Sequence, residues 1–95
     1  MRATTDVHDD AVRSAVACHL ELGPDHAVTQ ACARAARSGE QADFDAAERA
    51  LDDHLASIGD EAGGALWDRL RRRMDGRMTW ADIRAATGLE VSNNG

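Results

Sequence analysis

The stretch DFDAAERALDDHLASIGD, residues 43–60, settles the fold class. Phe44, Ala47, Leu51, Leu55 and Ile58 recur at spacings of three and four, the period of one face of an α-helix. Asp45, Glu48 and Asp52 follow the same period on the opposite face. A strand would need strict alternation, which this segment lacks. The predicted helix covers residues 43–57, Gly59 ends it, and Asp60 is placed to cap the next one.

The following segment reads as a helix over residues 61–75 with Leu66, Trp67, Leu70 and Met74 inward and Gly76 as its stop. Gly63 and Gly64 weaken its first turn by about 1 kcal/mol each relative to Ala, or else permit close approach of a neighbouring helix. A short helix over residues 80–87 has the best-specified ends. Thr79 is its N-cap, Asp82 takes the acid position of a capping box, and Met78 with Ile83 forms a hydrophobic staple. Gly88 fits the left-handed C′ position, with Leu89 folding back on Ile83. So short a helix does not persist alone in water, so it must dock through Trp80, Ile83 and Leu89.

Towards the N-terminus, residues 6–22 carry one apolar stripe of Val7, Ala11, Ala15, Cys18 and Leu22 and a second of Val12, Val16 and Leu20. A face that wide belongs to a central helix. Gly23-Pro24 stops it, Pro24 is read as the first residue of a helix over residues 24–38, and Gly39 closes that helix. Short links make successive helices antiparallel neighbours. The expected architecture is all-α: an antiparallel four-helix bundle plus a short fifth C-terminal helix. It forms one domain over residues 1–89, with residues 90–95 as a flexible tail.

Composition agrees with this and limits function. The chain has 95 residues, enough for one domain, and is 43% apolar. Alanine dominates that apolar fraction, so the core must be thin and closely packed. Seventeen acids stand against 11 bases, for a net charge of −6. Every base is arginine. At long range such a chain is repelled by nucleic acid and by anionic lipid, so direct binding to either is not expected. No apolar run reaches the ~18–20 residues that cross a bilayer. Residues 1–10 lack the features of a signal peptide. With only two cysteines, a reducing cytoplasm is the expected compartment.

The charges are sorted along the chain. Between residues 40 and 67, Glu40, Asp43, Asp45, Glu48, Asp52, Asp53, Asp60 and Glu61 face Arg49 alone. Beyond them come Arg69, Arg71, Arg72, Arg73, Arg77 and Arg84. A row of carboxylates at helical pitch is usually a solvated face. It also offers charge to an Arg/Lys groove much as a phosphate backbone does. The run Arg71-Arg72-Arg73 spreads over three faces of a helix and complements the negative end of its dipole. The candidate partner-binding residues are Asp45, Glu48, Asp52 and Asp53, with Arg71, Arg72 and Arg73 as anchors for an acidic patch.

Catalytic chemistry finds no foothold. No nucleophile elbow or phosphate-cradling glycine loop is present, and Ser14, Ser38 and Ser57 lack evident base and acid partners. His8, Cys18, His19, His26, Cys32 and His54 show neither C-x-x-C nor H-x-x-x-H spacing, so no metal site is expected. Cys18 and Cys32 sit on apolar stripes as small hydrophobes. A Gly23-Pro24 turn leaves them about one helical turn out of register, against a disulfide. Trp67 and Trp80 read as core residues. The expectation is a non-enzymatic protein without cofactor.

Residues 78–89, Met78-Thr79-Trp80-Ala81-Asp82-Ile83-Arg84-Ala85-Ala86-Thr87-Gly88-Leu89, resemble the first helix and turn of a bacterial helix-turn-helix with a T-W-x-x-I-x-x-x-x-G-L pattern. That resemblance implies a helix and glycine turn leading to a recognition helix, which residues 90–95 do not supply. In size, charge and helicity the chain is also similar to small acidic helical inhibitors of phages and mobile elements, such as anti-CRISPR proteins. The expected function is a protein-binding inhibitor or regulator, docking on a basic surface of a nucleic-acid-handling complex. A helix-turn-helix-derived regulator or accessory subunit is the alternative. A self-associating subunit, a homodimer through the wide face of the first helix, is the third.

Overall fold

The computed structural model describes residues 2–88, with side chains from residue 9 onward. It is all-α. In chain order the helices are α1 (Arg2–Leu22), α2 (Ala27–Ser38), α3 (Gln41–Ile58), α4 (Asp60–Asp75) and α5 (Trp80–Thr87), with no strand among the described residues. Each of α1–α4 packs on the next, and α4 returns to α1, closing the ring of a four-helix bundle. α1 touches all four other helices, as its wide apolar face requires, and α5 lies across α1 and α2. Leu89 and residues 90–95 lie outside the described residues.

Small side chains set the spacing. Ala11, Ala15, Ala17 and Cys18 of α1 are buried against Val28, Cys32, Ala35 and Ala36 of α2. The larger anchors, Leu66 and Leu70, come from α4. A thin core of this kind depends on backbones lying close together. Gly63 makes the approach most literal. It is buried, and a Cβ there would lie 2.6 Å from the Leu55 carbonyl oxygen of α3. Around Gly64 a Cβ would meet nothing within 4 Å. Of the two readings for these glycines, close approach therefore belongs to Gly63 alone.

Several boundaries and orientations depart from the sequence reading. α2 begins at Ala27 rather than Pro24, because His26 is the N-cap and its Nδ1 accepts the Val28 N–H at 3.1 Å. α4 starts at Asp60, and Gly59, at φ +100°, is the single hinge residue between α3 and α4. Asp60 is therefore a first-turn acid facing the helix dipole, not a cap. α1 extends back to Arg2 and α3 to Gln41. Ile58 is 38% exposed, Trp67 39% and Trp80 62%, against the inward positions expected of them. Ile58 falls at the last residue of α3, beyond the core, while α5 docks through Ile83, Ala86 and Thr87 and leaves Trp80 outside.

The ends of α5 match expectation in detail. Thr79 Oγ1 accepts the Asp82 N–H at 3.0 Å, Asp82 returns the bond to the Thr79 N–H, and Gly88 is left-handed at φ +77°. Two arginines close other helix ends from a distance. Arg13 of α1 donates to the Met74 carbonyl at 2.6 Å and the Gly76 carbonyl at 3.3 Å, beneath α4. Arg37 of α2 donates to the Thr87 carbonyl at 3.2 Å, at the end of α5. Both place a cation where a helix leaves carbonyls unsatisfied.

Candidate functional site

α1, α2, α3 and α4 enclose a cavity of about 250 Å³ that opens to solvent. Ala17, Cys18, Cys32 and Ala35 form its floor along the α1–α2 seam. Phe44, Leu51, Leu70 and Met74 supply apolar walls, and the half-exposed Trp67 stands beside them. The space exists because the facing positions on α1 and α2 carry alanine and cysteine, which cannot fill the gap left between four helices.

Three exposed carboxylates line the same cavity: Asp10 of α1, and Glu48 and Asp52 of α3. Glu48 and Asp52 thus do not lie diametrically opposite the apolar stripe. They flank it, since Phe44, Glu48, Leu51 and Asp52 occupy adjoining positions on the helix surface. None of Asp10, Glu48, Asp52 or Asp53 forms an ion pair among the described residues. Asp45 accepts only a hydrogen bond from the Gln41 amide, at 2.9 Å. Arg49, spaced to pair with Asp45 and Asp53, pairs with neither. Among the described residues no cation neutralises the row on α3.

The arginines of α4 are engaged elsewhere. Arg69 and Arg73 converge on the two oxygens of Glu21, near the end of α1, with Arg69 at 3.0 Å. The Arg73 hydrogen bond, reinforced by Arg69 and partly opposed by burial, holds the Glu21 carboxyl below its ordinary range. Of the three arginines expected to contact a partner, Arg73 is therefore tied to α1, while Arg71 and Arg72 are exposed and without ion pairs among the described residues. Their sequence neighbours on α3 play no part in this.

Comparison with known proteins gives no relative. No protein family matches this chain, and neither a curated protein nor a solved structure matches it. The reading of the site rests on its own geometry.

The two thiols also stand differently from the sequence reading. Cys18 and Cys32 are unoxidised, and their sulfurs are 3.9 Å apart. They are in register because the α1–α2 turn runs through residues 23–26, three residues longer than a helix starting at Pro24 would leave. The centre of the hairpin shifts with it, and Cys32 comes opposite Cys18. Among the described residues no group of three His, Cys, Asp or Glu is arranged to hold a metal ion. The His26 and His54 rings meet edge to face at 4.6 Å between centroids, tying the start of α2 to α3.

Asp10, Phe44 and Trp67 had no distinctive signal in the sequence as members of one site. Only the packing of three separate helices brings them together. No described helix is long and apolar enough to cross a membrane.

Proposed function

We propose that this protein is a non-enzymatic, cytoplasmic binding module that docks on a basic surface of a larger, nucleic-acid-handling complex as an inhibitor or regulator. One observation carries the reading: unpaired carboxylates of α3 and Asp10 of α1 rim an open apolar cavity. A cavity of about 250 Å³ has room for a large apolar side chain. The carboxylates are placed to receive arginine or lysine on either side of it. A basic element with one apolar anchor meets both demands. Burial of the anchor supplies affinity, and the charges supply approach rate and orientation. Glu48 and Asp52 form the docking row at the cavity, Asp45 and Asp53 extend the negative charge of α3 outside it, and Arg71 and Arg72 remain available for an acidic patch on the same partner.

The test uses an arginine-rich helical peptide bearing one leucine or phenylalanine. Its titration is followed by the fluorescence of Trp67 in a W80F background. The combined substitution D45N/E48Q/D52N is expected to weaken binding about tenfold, ~1.4 kcal/mol, and to flatten its salt dependence. Equal affinity for the substituted chain overturns the proposal.

A second reading is a DNA-contacting regulator, favoured by the exposure of Trp80, Arg77 and Arg84 around α5. A gel shift with random duplex at low salt separates the two. Binding that falls steeply with salt supports the second reading and removes the first.

A further inference from the structure

We propose that Cys18 and Cys32 are a redox-active pair that closes to an intramolecular disulfide when the protein meets a small neutral hydroperoxide. The proposal does not rest on the docking function, but it uses the same cavity, so an anchor seated there would shield the thiols.

Geometry comes first. The sulfurs are 3.9 Å apart on antiparallel neighbouring helices. A disulfide needs about 2.05 Å between them, so less than 2 Å of closure is required. Rotation of the two side chains and a slight settling of α1 on α2 supply that, because alanines (Ala15, Ala17, Ala35 and Ala36) make up much of the surrounding seam.

Access comes second. The residues are only 1% and 4% exposed, yet both line the floor of the open cavity. A molecule of peroxide size reaches them through it. The carboxylates at the mouth, Asp10, Glu48 and Asp52, repel anionic oxidants such as a tripeptide disulfide, which is also too large for the space.

The thiols are not equivalent. The two sulfurs share one contact in which either S–H can donate, and it lowers the Cys32 thiol below its ordinary value against the opposing effect of burial. The same bond, together with burial, pushes Cys18 up. Both sulfurs line the cavity floor, so either can attack while the other resolves.

With Cys32 attacking, the chemistry balances in two steps, and it balances equally with the two residues exchanged. The Cys32 thiolate attacks the terminal oxygen of the hydroperoxide; an S–O bond forms, the O–O bond breaks, and the alkoxide or hydroxide takes a proton and leaves. Cys32 is now a sulfenic acid. The Cys18 sulfur attacks the Cys32 sulfur, the S–S bond forms, and the S–O bond breaks. The departing hydroxide takes the Cys18 proton and leaves as water. Two thiols lose two electrons and two protons, and the hydroperoxide is reduced to an alcohol (or water) and water.

The experiment treats the full native chain with a small excess of hydrogen peroxide and follows intact mass. The expected product is a monomer lighter by two hydrogens, restored by dithiothreitol. Its link should map to Cys18 and Cys32 after cleavage between them at Glu21 or Asp25. It should unfold at a higher temperature than the reduced chain, because α1 and α2 are stapled. In C18A dimedone should trap a sulfenic acid on Cys32, and in C32A on Cys18. A chain that stays reduced, or one that forms only intermolecular dimers, overturns the proposal. A sulfenic acid trapped in neither variant overturns the two-step route. The wild-type mass and its reversal decide the matter even if a variant fails to fold.

Discussion

Replacing Gly63 with alanine sets two known effects against each other, and the structure says which prevails. Alanine in a helix is favoured over glycine by about 1 kcal/mol. At this position the new Cβ would sit 2.6 Å from the Leu55 carbonyl oxygen and 3.3 Å from its carbon, where ordinary contact begins near 3.4 Å. The obstacle is backbone, so no side chain can swing aside. α4 must move away from α3 by roughly 0.8 Å, the difference between the built and the ordinary distance. The hinge between the two helices is one residue, Gly59, which leaves little freedom to tilt them apart without disturbing Leu66 and Leu70. Overpacking of this kind costs about 1–3 kcal/mol, and here the upper half of that range applies. After the helix gain is subtracted, G63A should lose about 1–2 kcal/mol. That corresponds to a fall in melting temperature of roughly 4–15 °C for a domain this small. G64A is the matched control. Its Cβ meets nothing within 4 Å, so it should gain about 0.5–1 kcal/mol. Urea unfolding followed by circular dichroism gives both values. A G63A chain as stable as wild type, or more so, refutes the close approach of α3 and α4.

Other perturbations test the remaining joints. E21Q removes the ion pair between α1 and α4. Both arginines are about half exposed, so the loss after solvent screening is about 1 kcal/mol, shrinking in high salt. Because the Glu21 pKa is lowered in the folded chain, its contribution is complete above the ordinary carboxylate range and disappears as pH falls through the lowered value. Wild-type stability should therefore drop more steeply than that of E21Q across that acid window, as read by thermal unfolding against pH. T79A removes the hydroxyl that accepts the Asp82 N–H, leaves the backbone bond from the Thr79 N–H to Asp82 possible, and should cost about 1 kcal/mol, with amide exchange accelerating first in α5. R13A leaves the Met74 and Gly76 carbonyls without their donor and should lose about 1–2 kcal/mol in chemical denaturation, with R13K recovering part of it.

Local signals in the sequence carried through where one helix contains its own instructions. Thr79, Asp82 and Gly88 specify both ends of α5, and the stripe from Phe44 to Leu55 identifies the inner face of α3. What could not be read locally depended on a second element. His26 has no strong cap preference by residue type, and only the folded turn shows its Nδ1 holding Val28. Three residues of error there displaced the whole α1–α2 register and separated two cysteines that are neighbours. Trp67 and Trp80 follow the same lesson: stripe position suggested burial, but the packed helices leave both at the surface. The acid row on α3 was visible as a pattern. Its relation to a cavity was not, because that cavity needs Asp10 from α1 and Trp67 from α4. Arg69 and Arg73 likewise found Glu21, 48 and 52 residues away in sequence, rather than the nearer acids of α3.

The alanine seam between α1 and α2 has a thermodynamic signature of its own. Alanine has no rotamers to surrender, so bringing these two helices together freezes almost no side-chain motion. It also shields only a modest hydrocarbon area, so the heat-capacity increment of this contact is small for its length. Cooling therefore weakens it less than it would a leucine-rich interface. The first part of the molecule to loosen near freezing should be where Leu66 and Leu70 insert, and not this seam.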